Sequence, residues 1–124
     1  MTAGVIVAVV IAGAIGSVLR YAVARAFPSR GFPWAVLIVN VIGSAIGGAV
    51  LALAEHASIS ADLRMILLTG FCGGLTTFST FAVDSVQLVL DGRTREVVAS
   101  ITANLVLGVG AAAGAYALVN AVLG

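Results

Sequence analysis

The sequence predicts an all-α membrane protein with four transmembrane helices, the third broken in mid-membrane. Composition is the first reason. Of 124 residues, 61% are hydrophobic and 9% charged, where soluble domains carry roughly 25% charged residues. Too little polar surface exists to cover a water-soluble globule, and a mean hydropathy of +1.21 agrees. Segment length is the second reason. Apolar runs at about 3–24, 34–54, 63–90 and 97–123 each reach the roughly 20 residues that a helix needs to cross the hydrocarbon core. The third reason is a cluster of poor helix formers inside the third run, taken up below.

The first run has no basic residue before Val5 and is longer than the apolar core of a signal peptide, so it is expected to remain as a span. It ends at "FPSRGFP", Phe27 to Pro33, which holds both prolines. Proline removes a backbone donor and clashes with the preceding turn, which stops a helix. The second run ends in the polar "EHASISAD", Glu55 to Asp62, where Ser60 is placed to cap the third helix. "DGRTRE", Asp91 to Glu96, is a charged turn before the fourth run. The expectation is one domain over residues 1–124 with both termini on one side. The runs lack period-2 alternation and are too long for barrel strands.

Small residues recur at four-residue spacing: Gly13 and Ser17, Gly43 and Gly47, Ser44 and Gly48, Gly70 and Gly74, Gly110 and Gly114. Such pairs let helix backbones approach closely in lipid, and tight bundling accounts for most of them. Four thin helices enclose little volume, so a transport path calls for a second copy.

Several function classes fall away. There is no lysine, and six arginines against five acids leave a net charge of +1, which gives nucleic-acid binding no electrostatic support. Cys72 is the only cysteine, so an intrachain disulfide is excluded, and a packing role is expected. No nucleophile–base pair and no metal-ligand cluster is recognisable, which argues against an enzyme. The one histidine, His56, falls in a loop and is expected to be solvated.

Charged and amide groups inside the spans are few and include Arg20 in the first, Asn40 in the second, Asp84 in the third and Asn104 in the fourth. Such groups are costly in lipid and need partners. The asparagines fit either interhelical bonding or a site. Arg20 is near enough to a span end to reach the interface. Asp84 calls for a basic partner, water or a helix N-terminus. Tyr21, Trp34 and Tyr116 fit interfacial belts.

The odd stretch is "GFCGGLTTFSTF", Gly70 to Phe81, with three glycines, four hydroxyl side chains and three phenylalanines. Gly73 and Gly74 weaken the helix, and Thr76, Thr77, Ser79 and Thr80 can satisfy freed backbone groups. Irregular backbone at membrane depth is tolerated only where it is buried or lines a wet cavity. There its carbonyls can hold a cation and its N–H groups can face an anion. Phe78 and Phe81, three apart, share one helix face. Ring edges carry positive quadrupole charge and can line a path for a small anion.

These residues resemble the CrcB/Fluc fluoride channel family over nearly the whole chain. "GFCGGLTTFSTF" is similar to the family's third-helix signature almost letter for letter. "GAIGSVLRY" (Gly13 to Tyr21) resembles its first-helix pattern, and "VNVIGSAIGG" (Val39 to Gly48) its second. The resemblance implies a subunit that pairs antiparallel with a second subunit to give two fluoride pores. It implies that Phe78 and Phe81 flank the fluoride path, that Asn40 stands beside them, and that Thr77, Ser79 and Thr80 line the break or the pore. It further implies a structural sodium ion at the dimer centre, held by backbone carbonyls of the Gly73 to Thr76 break. Three positions depart from the family pattern. Asp84 stands where relatives often have glutamate, and Ser100 and Asn104 align where relatives often have tyrosine and then serine. The resemblance places Ser100 and Asn104 on the fourth-helix side of the fluoride path, and Arg20 and Asp84 in structural or vestibule roles.

The implied function is passive export of cytoplasmic fluoride across the plasma membrane, which protects against fluoride that enters as HF. The alternatives are a small proton-coupled drug exporter, which needs a carboxylate in its substrate cavity, and a non-transporting assembly subunit. Charge adds a further expectation. Arg25, Arg30, Arg93 and Arg95 flank the loops on one side and Arg64 alone flanks the other, with Arg20 joining the first side if it reaches the interface. Positive flanks favour the cytoplasm, so the chain is expected to insert mainly with both termini outside. The second subunit is then either the same chain in dual topology or an oppositely oriented homologue.

Overall fold

The structure is a computed structural model that describes residues 2–28 and 31–124, and those residues form four helical spans. Helix α1 covers Ala3–Ala26 and α2 Trp34–Glu55. The third span is composite: α3 (Ala61–Met65), a π-helical segment (Ile66–Cys72), the short α4 (Gly73–Leu75), an irregular step, and α5 (Ser79–Leu90). Helix α6 (Thr94–Leu123) is the fourth span. No strand occurs among the described residues.

The ends follow local chemistry. Thr2 caps α1, accepting a bond from the Val5 N–H at 3.2 Å, and Ser60 caps α3 by accepting from Leu63 N–H at 3.1 Å, as expected. Asp91 ends α5, and Gly92 at φ 71° turns the chain into α6, a left-handed conformation that glycine adopts without steric cost. In the orientation argument, Arg30 lies outside the described residues.

Glycines set the approach of α1 to the third span. A Cβ on Gly16 would meet Leu75 N at 2.8 Å and the Phe71 carbonyl oxygen, one on Gly74 would meet the Gly13 backbone, and one on Gly70 would lie 2.9 Å from Val9 O. These contacts realise the close-packing expectation for Gly13, Gly70 and Gly74. For Gly110 and Gly114 the expectation is corrected within the chain: nothing lies within 4 Å of either Cβ position, because their face of α6 points away from the bundle.

Helices α2 and α6 run parallel in a register of 64 residues. Asn40 bonds Asn104, the Gly108 Cβ position faces Ser44, that of Gly48 meets the Ala112 backbone, and His56 bonds Asn120. Four-residue steps along both helices keep one face against the other. At the last rung the His56 ring nitrogen Nε2 lies 2.7 Å from Asn120 Oδ1, and Tyr116 donates to Glu55. His56 is therefore tied to α6 rather than merely solvated. Helix α2 is the most enclosed element. It buries Val39 and Ala52 almost completely and carries Asn40 inward at half-depth.

Candidate functional site

The site forms where the third span loses its helix. Thr76 is extended at φ −80°, ψ 159°. Its N–H and its hydroxyl both donate to the Cys72 carbonyl, each at 2.9 Å, and its methyl packs on Gly43 of α2. In a continuous α-helix, Thr77 N–H would bond Gly73 O and Thr80 N–H would bond Thr76 O. Side chains take both donors instead. Asn40 Oδ1 accepts from Thr77 N–H at 2.9 Å, and Thr77 Oγ1 accepts from Thr80 N–H at 3.1 Å.

Two consequences follow. The Thr77 hydroxyl, one residue before the Phe78 N-cap position, satisfies a first-turn N–H of α5. The carbonyls of Gly73 and Thr76, the pair singled out in the sequence, receive no hydrogen bond among the described residues. Of the two carbonyls between them, that of Gly74 differs: it accepts from Arg20 Nε at 3.1 Å and from Ser17 Oγ at 3.4 Å. Arg20 thus bonds the break rather than reaching for the interface. A freed carbonyl inside the membrane is the nearer and better partner for it.

Asn40 clamps the Thr77 peptide from both sides, because its Nδ2 also donates to Thr77 O at 3.2 Å. The same Nδ2 donates to Asn104 Oδ1 at 3.2 Å, and Asn104 Nδ2 donates to Ser100 O at 2.8 Å. Both asparagines therefore meet at the break. The hydroxyls cluster there too. Thr77 Oγ1 lies 3.3 Å from Ser79 Oγ and 3.1 Å from Thr80 Oγ1.

Beside this clamp an open cleft of roughly 490 Å³ is floored by Asn40, Ser44, Thr76 and Thr77, with Asn104 on α6. Its rim carries the two rings. Phe78 and Phe81 stand with centroids 6.1 Å apart and planes at 49°, and Phe78 is 79% exposed. The cleft offers amide and hydroxyl groups on one wall, the aromatic rings on another and, among the described residues, no carboxylate.

The remaining candidates lie elsewhere. Ser100 is 1% exposed, its hydroxyl has no hydrogen-bond partner among the described residues, and it is outside the cleft. Ser79 and Thr80 belong to the hydroxyl cluster rather than to the cleft wall. Asp84 lines a separate cleft with Gln87, Asp91 and Arg93, and the ion pair that Arg93 makes is with Glu96 at 3.5 Å. Sequence reasoning missed the π-helical segment, the Glu55–Tyr116 and His56–Asn120 ties, and Ser44. The regular i+4 spacing of Asn40 and Ser44 on α2 was the available signal for the last. No group of three or more His, Cys, Asp or Glu side chains converges as a metal site among the described residues.

Comparison with known proteins agrees with this architecture. The family described as "CrcB-like protein, Camphor Resistance (CrcB)" matches residues 7–116. A protein of Renibacterium salmoninarum named "Fluoride-specific ion channel FluC" is 40% identical over 117 residues, covering 87% of this chain and 93% of that one. A protein of the same name from Methanopyrus kandleri is 38% identical over 117 residues, covering 93% and 88%. One from Thermobifida fusca, "Fluoride-specific ion channel FluC 1", is 39% identical over 105 residues, covering 82% and 84%. With a match spanning all four helices and the signature stretch at the break, the chain is a multi-pass membrane protein that belongs to the CrcB family.

Proposed function

We propose that this chain is a subunit of a fluoride-selective channel that lets cytoplasmic fluoride leave passively. The observation that carries the reading is the paired rings, Phe78 and Phe81, on the rim of a cleft whose floor is amide and hydroxyl. A small dehydrated anion is served by ring edges and neutral donors, which hold it less tightly than an arginine would. The names of the relatives point the same way. The drug-exporter alternative loses support because Asp84, its only carboxylate candidate, lines a different cleft.

The working unit in this reading is an antiparallel pair of chains. The cleft is open on one side and Phe78 projects from it, so a second subunit would supply the missing wall. The same pairing would bring the Gly73 and Thr76 carbonyls of both chains together. Unpaired carbonyls without a carboxylate suit a monovalent hard cation, and we assign sodium there in a structural role. Oxygen donors of this kind fit such an ion, and the two orphaned carbonyls support the fit. The partner is the same chain or an oppositely oriented homologue, in the plasma membrane.

The test is protection in cells. Fluoride-sensitive bacteria expressing this chain, with the homologue where one is required, should grow in fluoride that stops the empty-vector strain. The Phe81→Ile variant at equal membrane abundance should not protect. Equal growth inhibition with the unaltered chain and with empty vector would reject the reading.

A further inference from the structure

The cleft at the rings does not end at Asn104. A second groove of roughly 700 Å³ continues along the α2–α6 seam, floored by Gly47, Gly48 and Ala112 and reaching Arg64 and Tyr116 at the far end. Ser44 is the one residue that lines both. It lies one helical turn beyond Asn40 on the same face of α2, opposite Gly108, whose missing side chain leaves the Ser44 hydroxyl open: a Cβ there would lie 3.6 Å from Ser44 Oγ.

Most donors around it are already committed. Both Asn40 amide hydrogens are engaged, one set toward Thr77 O and one toward Asn104 Oδ1, and Asn104 Nδ2 is engaged by Ser100 O. The Ser44 hydroxyl makes no hydrogen bond to another described residue, although the groove around it is lined mainly by Gly, Ala, Leu and Val. An anion crossing from the ring cleft into an apolar groove loses water and needs a replacement donor.

Resting on the channel reading above, we propose that Ser44 is a hydrogen-bond station on the fluoride path. The path leaves the rings along the α2–α6 groove toward Arg64. Arg64, the one charged side chain on the groove among the described residues, acts at its mouth as an electrostatic attractor rather than as a binding group.

The experiment is fluoride efflux from liposomes holding equal amounts of unaltered, Ser44→Ala, Ser44→Thr, Arg64→Gln and Phe81→Ile protein, each checked for dimer content. Loss of one hydrogen bond to a charged group should slow Ser44→Ala by about tenfold or more. Ser44→Thr keeps the hydroxyl and should stay within about threefold of the unaltered channel. Arg64→Gln should slow efflux at low ionic strength and converge with the unaltered protein at high salt, where an exposed charge is screened. Unaltered efflux in Ser44→Ala while Phe81→Ile is slow overturns the station and leaves the channel reading standing. Equal losses in Ser44→Ala and Ser44→Thr also overturn it, because shape rather than the hydroxyl would be the cause. An unaltered chain without efflux removes the channel reading and this inference with it.

Discussion

Replacing Asn40 with alanine should unpin the break. The side chain makes three hydrogen bonds: Thr77 N–H at 2.9 Å, Thr77 O at 3.2 Å and Asn104 Oδ1 at 3.2 Å. Interhelical side-chain bonds in membranes average about 0.6 kcal/mol, so the three together supply about 2 kcal/mol. The truncation also leaves Thr77 O without its Asn40 partner at membrane depth, which costs about 1–3 kcal/mol more. The expected destabilisation of Asn40→Ala is therefore about 3–5 kcal/mol. Asn104→Ala removes one bond to Asn40 and one to its own helix, and should cost about 1 kcal/mol. Reversible unfolding by SDS in mixed micelles, with the double variant to close the cycle, measures both. Thr77 N–H is then free to bond Gly73 O, so Asn40→Ala should also lose sodium-dependent stabilisation. If Asn40→Ala and Asn104→Ala are equally stable, Asn40 is not the pin and the account of the break fails.

Phe78→Ile and Phe81→Ile should each cut fluoride efflux severely while the purified protein remains dimeric; unchanged efflux at equal reconstituted protein would count against the rings. Sodium should raise the melting temperature more than potassium at equal concentration, and identical melts would remove the assignment of sodium to the Gly73 and Thr76 carbonyls. For orientation, Cys72 is replaced by alanine and one cysteine is placed in the Asp91 to Glu96 loop. Impermeant reagent on intact cells should leave most of that cysteine protected; near-equal labelled and protected fractions would restore a dual-topology homodimer. Arg20, bound to Gly74 O, does not add to that bias.

The spans were readable because lipid imposes length and apolarity, and because prolines at 28 and 33, Ser60 and Gly92 mark their ends chemically. The break was readable for a similar reason: glycines followed by clustered hydroxyls have few uses inside a membrane. What replaces the lost helix bonds was not readable. Arg20 lies 54 residues before its acceptor, and Asn40 lies 37 before Thr77. No local pattern encodes such pairings. The π-helical segment Ile66–Cys72 consists mostly of ordinary apolar residues, and it accompanies the contact of Gly70 with α1 rather than any composition of its own. Gly110 and Gly114 carry the same spacing as Gly70 and Gly74, yet they face away from the bundle. Spacing identifies a face able to pack closely, and only the fold decides which faces meet. His56 misled for the same reason, since its partner Asn120 appears only once α2 and α6 are in register.

The central claim is that the ring cleft conducts fluoride selectively. Its most direct measurement is ion efflux from liposomes containing the purified protein, loaded with fluoride in one set and chloride in the other and monitored with ion-selective electrodes. Potassium exit is provided by valinomycin in both. The account predicts rapid fluoride efflux and chloride efflux no faster than from protein-free liposomes. Equal rates for the two anions, or fluoride retention with the dimer intact, would contradict it.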